Sequence, residues 1–139
     1  METDKWPNPI SVLLVDDSSQ FRHILRQFLS RIPWVSIAHE VESGEDAITC
    51  LQQNHYDLIL MDISMKGMNG LTATHKIKKQ KKAPIVVILS QHENNEYVTQ
   101  ANAVGADGFV VKSDLFSSLK PVLHNALTKA QTAKNKNNM

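Results

Sequence analysis

The stretch Leu58-Ile59-Leu60-Met61-Asp62-Ile63-Ser64-Met65-Lys66-Gly67-Met68-Asn69-Gly70 decides how the chain folds. Four apolar residues end at a single carboxylate, and a loop with two glycines follows. A short continuous apolar run bounded by turn residues predicts a buried strand, and the loop predicts a turn into a helix. Asp62 then stands at the carboxyl end of a strand, where open α/β sheets place their binding crevice. Such a position becomes a site only if other strands bring complementary groups to the same edge.

The same pattern recurs on both sides of that stretch. Val12-Leu13-Leu14-Val15 is a continuous apolar run, as expected of a central parallel strand covered on both faces, and it ends at Asp16-Asp17. Ser18 or Ser19 can cap the helix that follows, where Phe21, Ile24, Leu25, Phe28, Leu29 and Ile32 recur at helical spacing before Pro33. Val35 to Ala38 predicts a second strand, and Ser43-Gly44-Glu45 opens a helix to about Asn54. Tyr56 to Met61 is the third strand, and Leu71 to about Lys82 a helix that grows basic. Ile85 to Leu89 is a fourth strand ending at Ser90, followed by a polar helix from Asn94 to Val104. Phe109-Val110-Val111 is a fifth strand ending at Lys112. Leu115, Leu119, Val122, Leu123, Ala126 and Leu127 mark a last helix, whose regular part is expected near Ser117 so that Pro121 falls in its first turn. Five strands alternating with five helices predict right-handed crossovers and a three-layer α/β domain around a parallel sheet. Residues 1–10 read as a loose leader, 11–130 as the domain, and 131–139, which have nothing to bury, as a disordered tail.

Composition sets bounds on function. At 139 residues the chain is one domain with room for a single sizeable core. Apolar content of 42% and charged content of 21% are ordinary for a globular protein. A net charge of +1 gives no basic excess of the kind a dedicated nucleic-acid binder carries. The run His75-Lys76-Ile77-Lys78-Lys79-Gln80-Lys81-Lys82 is basic, but it lacks interleaved aromatics and suits a solvated helix end whose cations complement the dipole. The single Cys50 excludes an intrachain disulfide and fits a reducing compartment. No stretch approaches the roughly 18 apolar residues of a membrane span, so a cytoplasmic protein is expected.

Four of the five strands end at a polar or charged residue: Asp16 and Asp17, Asp62, Ser90, and Lys112. In a parallel sheet those ends share one edge. Three carboxylates in one pocket repel, which raises a pKa or demands a cation. An all-oxygen set of this kind suits Mg²⁺, which keeps several waters and often shares its shell with a phosphate. A lysine and a hydroxyl opposite would bind the remaining oxygens of a transferring phosphoryl group, with Asp62 a candidate nucleophile forming an acyl phosphate. Each residue alone could merely mark a strand end; the acidic pair, lone Asp, hydroxyl and Lys in that order form a far more specific pattern.

With these residues in view, the chain resembles a bacterial two-component response-regulator receiver domain. The resemblance runs over Val12–Ser18, Asp57–Asp62, Gly67–Gly70, Pro84–Ser90 and Gly105–Lys112. It implies the flavodoxin-like strand order 2-1-3-4-5. It implies a sensor histidine kinase, or a phosphotransfer protein, as phosphoryl donor to Asp62. Asp16 and Asp17 would hold Mg²⁺ together with Asp62, Asp17 being the more direct ligand, and the Ser64 backbone carbonyl would complete the shell. Ser90 would be the switch hydroxyl, Lys112 the lysine that pairs with a phosphate oxygen, and Phe109 the switch aromatic, though a plain core aromatic has the same look. Lys66 stands where most receivers have proline; a second cation there could bias the loop or help recruit phosphate, but a solvated loop lysine is the favoured reading. Gln91 and His92 follow the switch hydroxyl at positions that tune phosphoryl lifetime in the family. Ser113 replaces the commoner proline after the lysine, and Ser113-Asp114 is similar to receivers that precede helix-turn-helix outputs.

The resemblance implies a phosphoacceptor switch that catalyses only its own phosphorylation and dephosphorylation and remodels the face of the fourth helix, fifth strand and fifth helix. Its readout would be a downstream partner, an output domain of a longer regulator, or dimerisation through that face. A phosphatase or mutase with an Asp nucleophile would need Asp-x-Asp, and the second position here is Ser64. A phosphorylation-independent interaction module normally lacks an acidic residue or the lysine, and this chain retains both.

Overall fold

A computed structural model of the chain describes residues 9–137, and for 135–137 the backbone alone. Strands and helices alternate: β1 (Ile10–Val15), α1 (Ser19–Leu29), β2 (Val35–Val41), α2 (Gly44–Gln53), β3 (Leu58–Asp62), α3 (Gly70–Lys78), β4 (Ile85–Ser90), α4 (Asn95–Ala103), β5 (Gly108–Val111) and α5 (Leu115–Asn137). The sheet is parallel throughout, in the order β2-β1-β3-β4-β5. This is a flavodoxin-like (βα)5 fold, with the strand order 2-1-3-4-5.

Strand residues alternate between faces, and the two faces meet different helices. Val12, Leu14, Leu58, Leu60, Val87, Leu89 and Val110 pack with residues of α1 and α5. Leu13, Val15, Ile59, Met61, Val86 and Ile88 pack with Ala47 of α2, Ala73 and Ile77 of α3, and Ala101 of α4. Burial on both faces is why the central strands are apolar at every position rather than at alternate ones. Short polar side chains start the helices: Ser18, Ser43 and Asn69 accept the backbone N–H groups of Phe21, Asp46 and Thr72. The Gly105–Gly108 turn is held by Asp107, whose Oδ2 accepts from Val86 N–H at 2.9 Å and from Lys78 Nζ at 2.8 Å.

Several expectations need correction. The tail is helical through Asn137, because α5 runs on past its last buried residue, Leu127. Ala, Lys and Gln are good helix formers, and a docked helix propagates without further burial. Residues 138 and 139 lie outside the described residues. So do residues 1–8, on which the expected leader falls, while Ile10 already belongs to β1. Helix α5 begins at Leu115, just after a 3-10 turn over Lys112–Asp114, which leaves Pro121 inside the helix rather than in its first turn. Ile24 of α1 is 41% exposed, so the stripe on that helix is buried only in part. Helix α3 ends at Lys78, and the remaining lysines continue into the following turn.

Candidate functional site

Strand β1 delivers Asp16 just past its last residue, and four groups fix it there. Its N–H donates to Val41 O at 3.1 Å, and its carbonyl accepts from the Arg22 guanidinium. Its Oδ1 accepts from Ser18 N–H at 2.8 Å, and its Oδ2 from Lys112 Nζ at 2.9 Å. A carboxylate only 1% exposed has lost its water and needs such partners in its place. Arg22 is itself held by Glu40, 3.0 Å from its Nε. Asp17, the next residue, is exposed.

Strand β3 ends in Asp62, buried at 4% exposure, with Lys112 Nζ 3.2 Å from its Oδ1. The loop after it folds back on the strand, Gly70 N–H donating to Ile63 O at 2.8 Å. Gly70 is required by that approach: a Cβ there would sit 2.0 Å from the Asp62 carbonyl oxygen.

Asp16, Asp17 and Asp62 each offer a carboxylate oxygen within 4.8 Å of the others. Among the described residues, Lys112 is the one cation that bridges two of them. The pocket therefore carries an excess of negative charge. Its effect falls on Asp62, whose carboxyl is pushed up from about 3.8 to about 6, by burial first and then by Asp16. The attraction and hydrogen bond of Lys112 oppose that shift, and Asp17 adds to it. Oxygen donors with uncompensated negative charge fit a hard divalent cation such as Mg²⁺.

Ser90 ends β4, the strand beside β3, and is 1% exposed. Its Oγ accepts from His92 N–H at 3.0 Å, and the His92 ring stacks on Tyr97 of α4 with centroids 5.2 Å apart. Phe109, half-buried on β5, packs against the core on the α2–α4 side. Ser64, Lys66 and Gln91 are exposed on loops at the same edge, and Lys66 makes no ion pair among the described residues. The structure thus gathers Asp16, Asp17, Asp62 and Lys112 into one cluster, sets Ser90 on the neighbouring strand end, and leaves Lys66 outside the contacts.

Residues not singled out from sequence also build the site. Phe21 reads there as one more apolar position of α1, yet Lys112 Nζ lies 4.1 Å from the centre of its ring. Arg22 reads as a surface cation. Its place next to the helix cap is the only hint that it reaches back to Asp16.

Comparison with known proteins bears on the family and the fold. The model of the response regulator receiver domain family matches residues 12–124. The nitrate/nitrite response regulator protein NarL of Escherichia coli strain K12 is 33% identical over 118 residues, 85% of this chain and 55% of that protein. The response regulator UvrY of the same strain is 36% identical over 103 residues, 74% of this chain and 47% of that protein. The chain spans about half the length of the curated relatives it matches. Among solved structures, a LuxR-family two-component response regulator from Aurantimonas sp. SI85-9A1 superimposes with a TM-score of 0.83 at 24% identity, covering 88% of this chain and 87% of that one. The isolated REC domain of RcsB from Salmonella enterica serovar Typhimurium gives 0.74 at 23% identity, covering 93% and 90%. At those identities the structures bear on the fold alone.

Proposed function

Because the chain belongs to the response regulator receiver domain family of two-component signal transduction, we propose that it is a phosphoacceptor switch. Asp62 takes a phosphoryl group from a phosphohistidine of a sensor histidine kinase or phosphotransfer protein. The observation that carries this is the cluster itself: three carboxylates within 4.8 Å of one another, two of them bridged by one partly buried lysine.

The carboxylate of Asp62 attacks phosphorus, an O–P bond forms, and the P–N bond to the donor imidazole breaks with the electron pair leaving on nitrogen. With its pKa at about 6, Asp62 is ionised at neutral pH and more basic than an ordinary carboxylate. Lys112, already 3.2 Å from Oδ1, is poised to pair with a phosphoryl oxygen. Asp16, Asp17 and Asp62, with the Ser64 carbonyl, would hold Mg²⁺, which when bound offsets the charge of the three carboxylates and the incoming phosphoryl group. The acyl phosphate carries up to about two negative charges where the ionised carboxylate carried one, so phosphorylation adds roughly one negative charge and three phosphoryl oxygens near neutral pH. The Ser90 hydroxyl responds by turning its proton to a phosphoryl oxygen, which perturbs the bond it accepts from His92 and so reaches the β4–α4 loop. Phe109 changes rotamer in concert, and the α4-β5-α5 face is remodelled. Gln91, His92 and Lys66 at the rim tune how long the acyl phosphate lasts.

Beyond its own phosphorylation and dephosphorylation the domain needs no catalysis. Its readout is a downstream protein or output domain, with dimerisation through the α4-β5-α5 face as one route, and with no direct contact to nucleic acid or membrane. No helix among the described residues is long and apolar enough to cross a membrane, in keeping with a cytoplasmic switch. The test is incubation with Mg²⁺ and acetyl phosphate followed by intact mass. A phosphoryl adduct is expected on the wild type and not on Asp62→Asn. An unmodified wild type, or an adduct that persists in Asp62→Asn, would overturn the assignment.

A further inference from the structure

The ammonium of Lys112 has three N–H bonds and meets three groups: Asp16 Oδ2 at 2.9 Å, Asp62 Oδ1 at 3.2 Å, and the ring of Phe21, whose centroid is 4.1 Å away. The first two are anions that the lysine shares with any metal in the pocket. The third is a ring whose negative face attracts a cation without competing for a proton. We infer that Phe21 is a positioning residue of the phosphoryl pocket, seating the Lys112 ammonium on its ring through a cation–π contact. This deepens the proposed function and rests on Asp62 being the phosphoacceptor.

The local structure explains why the seat is rigid. Phe21 is the third residue of α1, and its N–H is capped by Ser18 Oγ at 3.2 Å. Arg22, next to it, holds the Asp16 carbonyl. One turn of helix therefore fixes both the acidic partner of Lys112 and its aromatic one. The side chain of Lys112 is only 11% exposed, so the cation is largely desolvated, where such contacts are strongest. When Asp62 accepts the phosphoryl group, Lys112 must exchange Oδ1 for a phosphoryl oxygen. Asp16 and Phe21 then act as the two fixed points about which it moves.

The seat is tested by replacing Phe21 with mono-, di- and trifluorophenylalanine. These keep the shape of the ring nearly constant while draining the negative potential of its face. Phosphorylation of Asp62 by acetyl phosphate at saturating Mg²⁺ is then timed. A rate that falls stepwise across the series, by about two- to fivefold at its end, is expected. Phe21→Leu should fall as far and Phe21→Tyr should recover. A rate that drops in Phe21→Leu but is flat across the fluorinated rings means that the ring only fills space, and overturns the inference. A second readout does not depend on phosphorylation. The ε-methylene protons of Lys112 should resonate upfield through the ring current and return to ordinary positions in Phe21→Leu. Ordinary positions in the wild type would overturn the seat even where Asp62 is phosphorylated. Upfield positions in a wild type that never accepts a phosphoryl group would support the seat and sink the phosphoacceptor assignment instead.

Discussion

Burial, Asp16 and Asp17 all push the Asp62 carboxyl toward its protonated form, and Lys112 only partly opposes them, leaving it at about 6. A group whose folded-state pKa is raised binds its proton more tightly when folded. The folded state therefore loses stability as pH rises from about 3.8 to about 6, by an amount on the order of 3 kcal/mol at neutral pH. In metal-free protein Asp62→Asn should accordingly be more stable than wild type at pH 7.5, by about 1–3 kcal/mol. The difference should shrink toward pH 4, where the folded carboxyl is protonated and the unfolded one, at about 3.8, is approaching protonation. Urea unfolding at the two pH values checks this, and an Asp62→Asn protein that is less stable at pH 7.5 would contradict it. The identity of the acidic cluster was legible from strand ends alone. The role of Phe21 was not, because an aromatic at an inward helical position has the same sequence signature whether it meets a leucine or an ammonium.

Among the elements, the turn from β3 into α3 is under the tightest steric constraint. A Cβ on Gly70 would lie 2.0 Å from the Asp62 carbonyl oxygen, which no side-chain movement relieves because the clash is with backbone. Gly70→Ala should cost about 2–4 kcal/mol in thermal or urea unfolding and slow phosphorylation by displacing Asp62. Gly67, at φ 76°, occupies a left-handed conformation in the same loop, with a Glu45 carboxylate oxygen 3.0 Å from where its Cβ would be. The two glycines were visible in the opening stretch as loop residues. Which of them was sterically required, and against what, depended on how the loop folds back onto β3. The same holds for the basic run after α3. Lys78 is structural, donating to Pro84 O at 3.0 Å and to Asp107, and it separates from the exposed lysines around it only once β4 and β5 are in place.

For the whole molecule, the pocket links stability to metal. A cation that binds the folded pocket and not the unfolded chain raises stability by mass action, about 1.4 kcal/mol at ten times its Kd. Mg²⁺ should therefore raise the Tm of the wild type in a concentration-dependent manner, and Asp17→Asn should flatten that response. A Tm indifferent to Mg²⁺ would remove the metal from the scheme. Element order, fold class and the list of strand-end groups were determined by the sequence itself, because apolar runs, turn residues and helical spacing are local patterns. The assignment of faces was decided by tertiary structure. Carried to the strand ends, the alternation that sends Leu14, Leu60 and Val110 toward α1 and α5 sends Asp16, Asp62 and Lys112 to that same side. There α1 supplies a ring for the lysine and an arginine for the aspartate. Nothing within a single strand or helix specifies which helix will cover which face, so these partnerships exist only after the layers have packed.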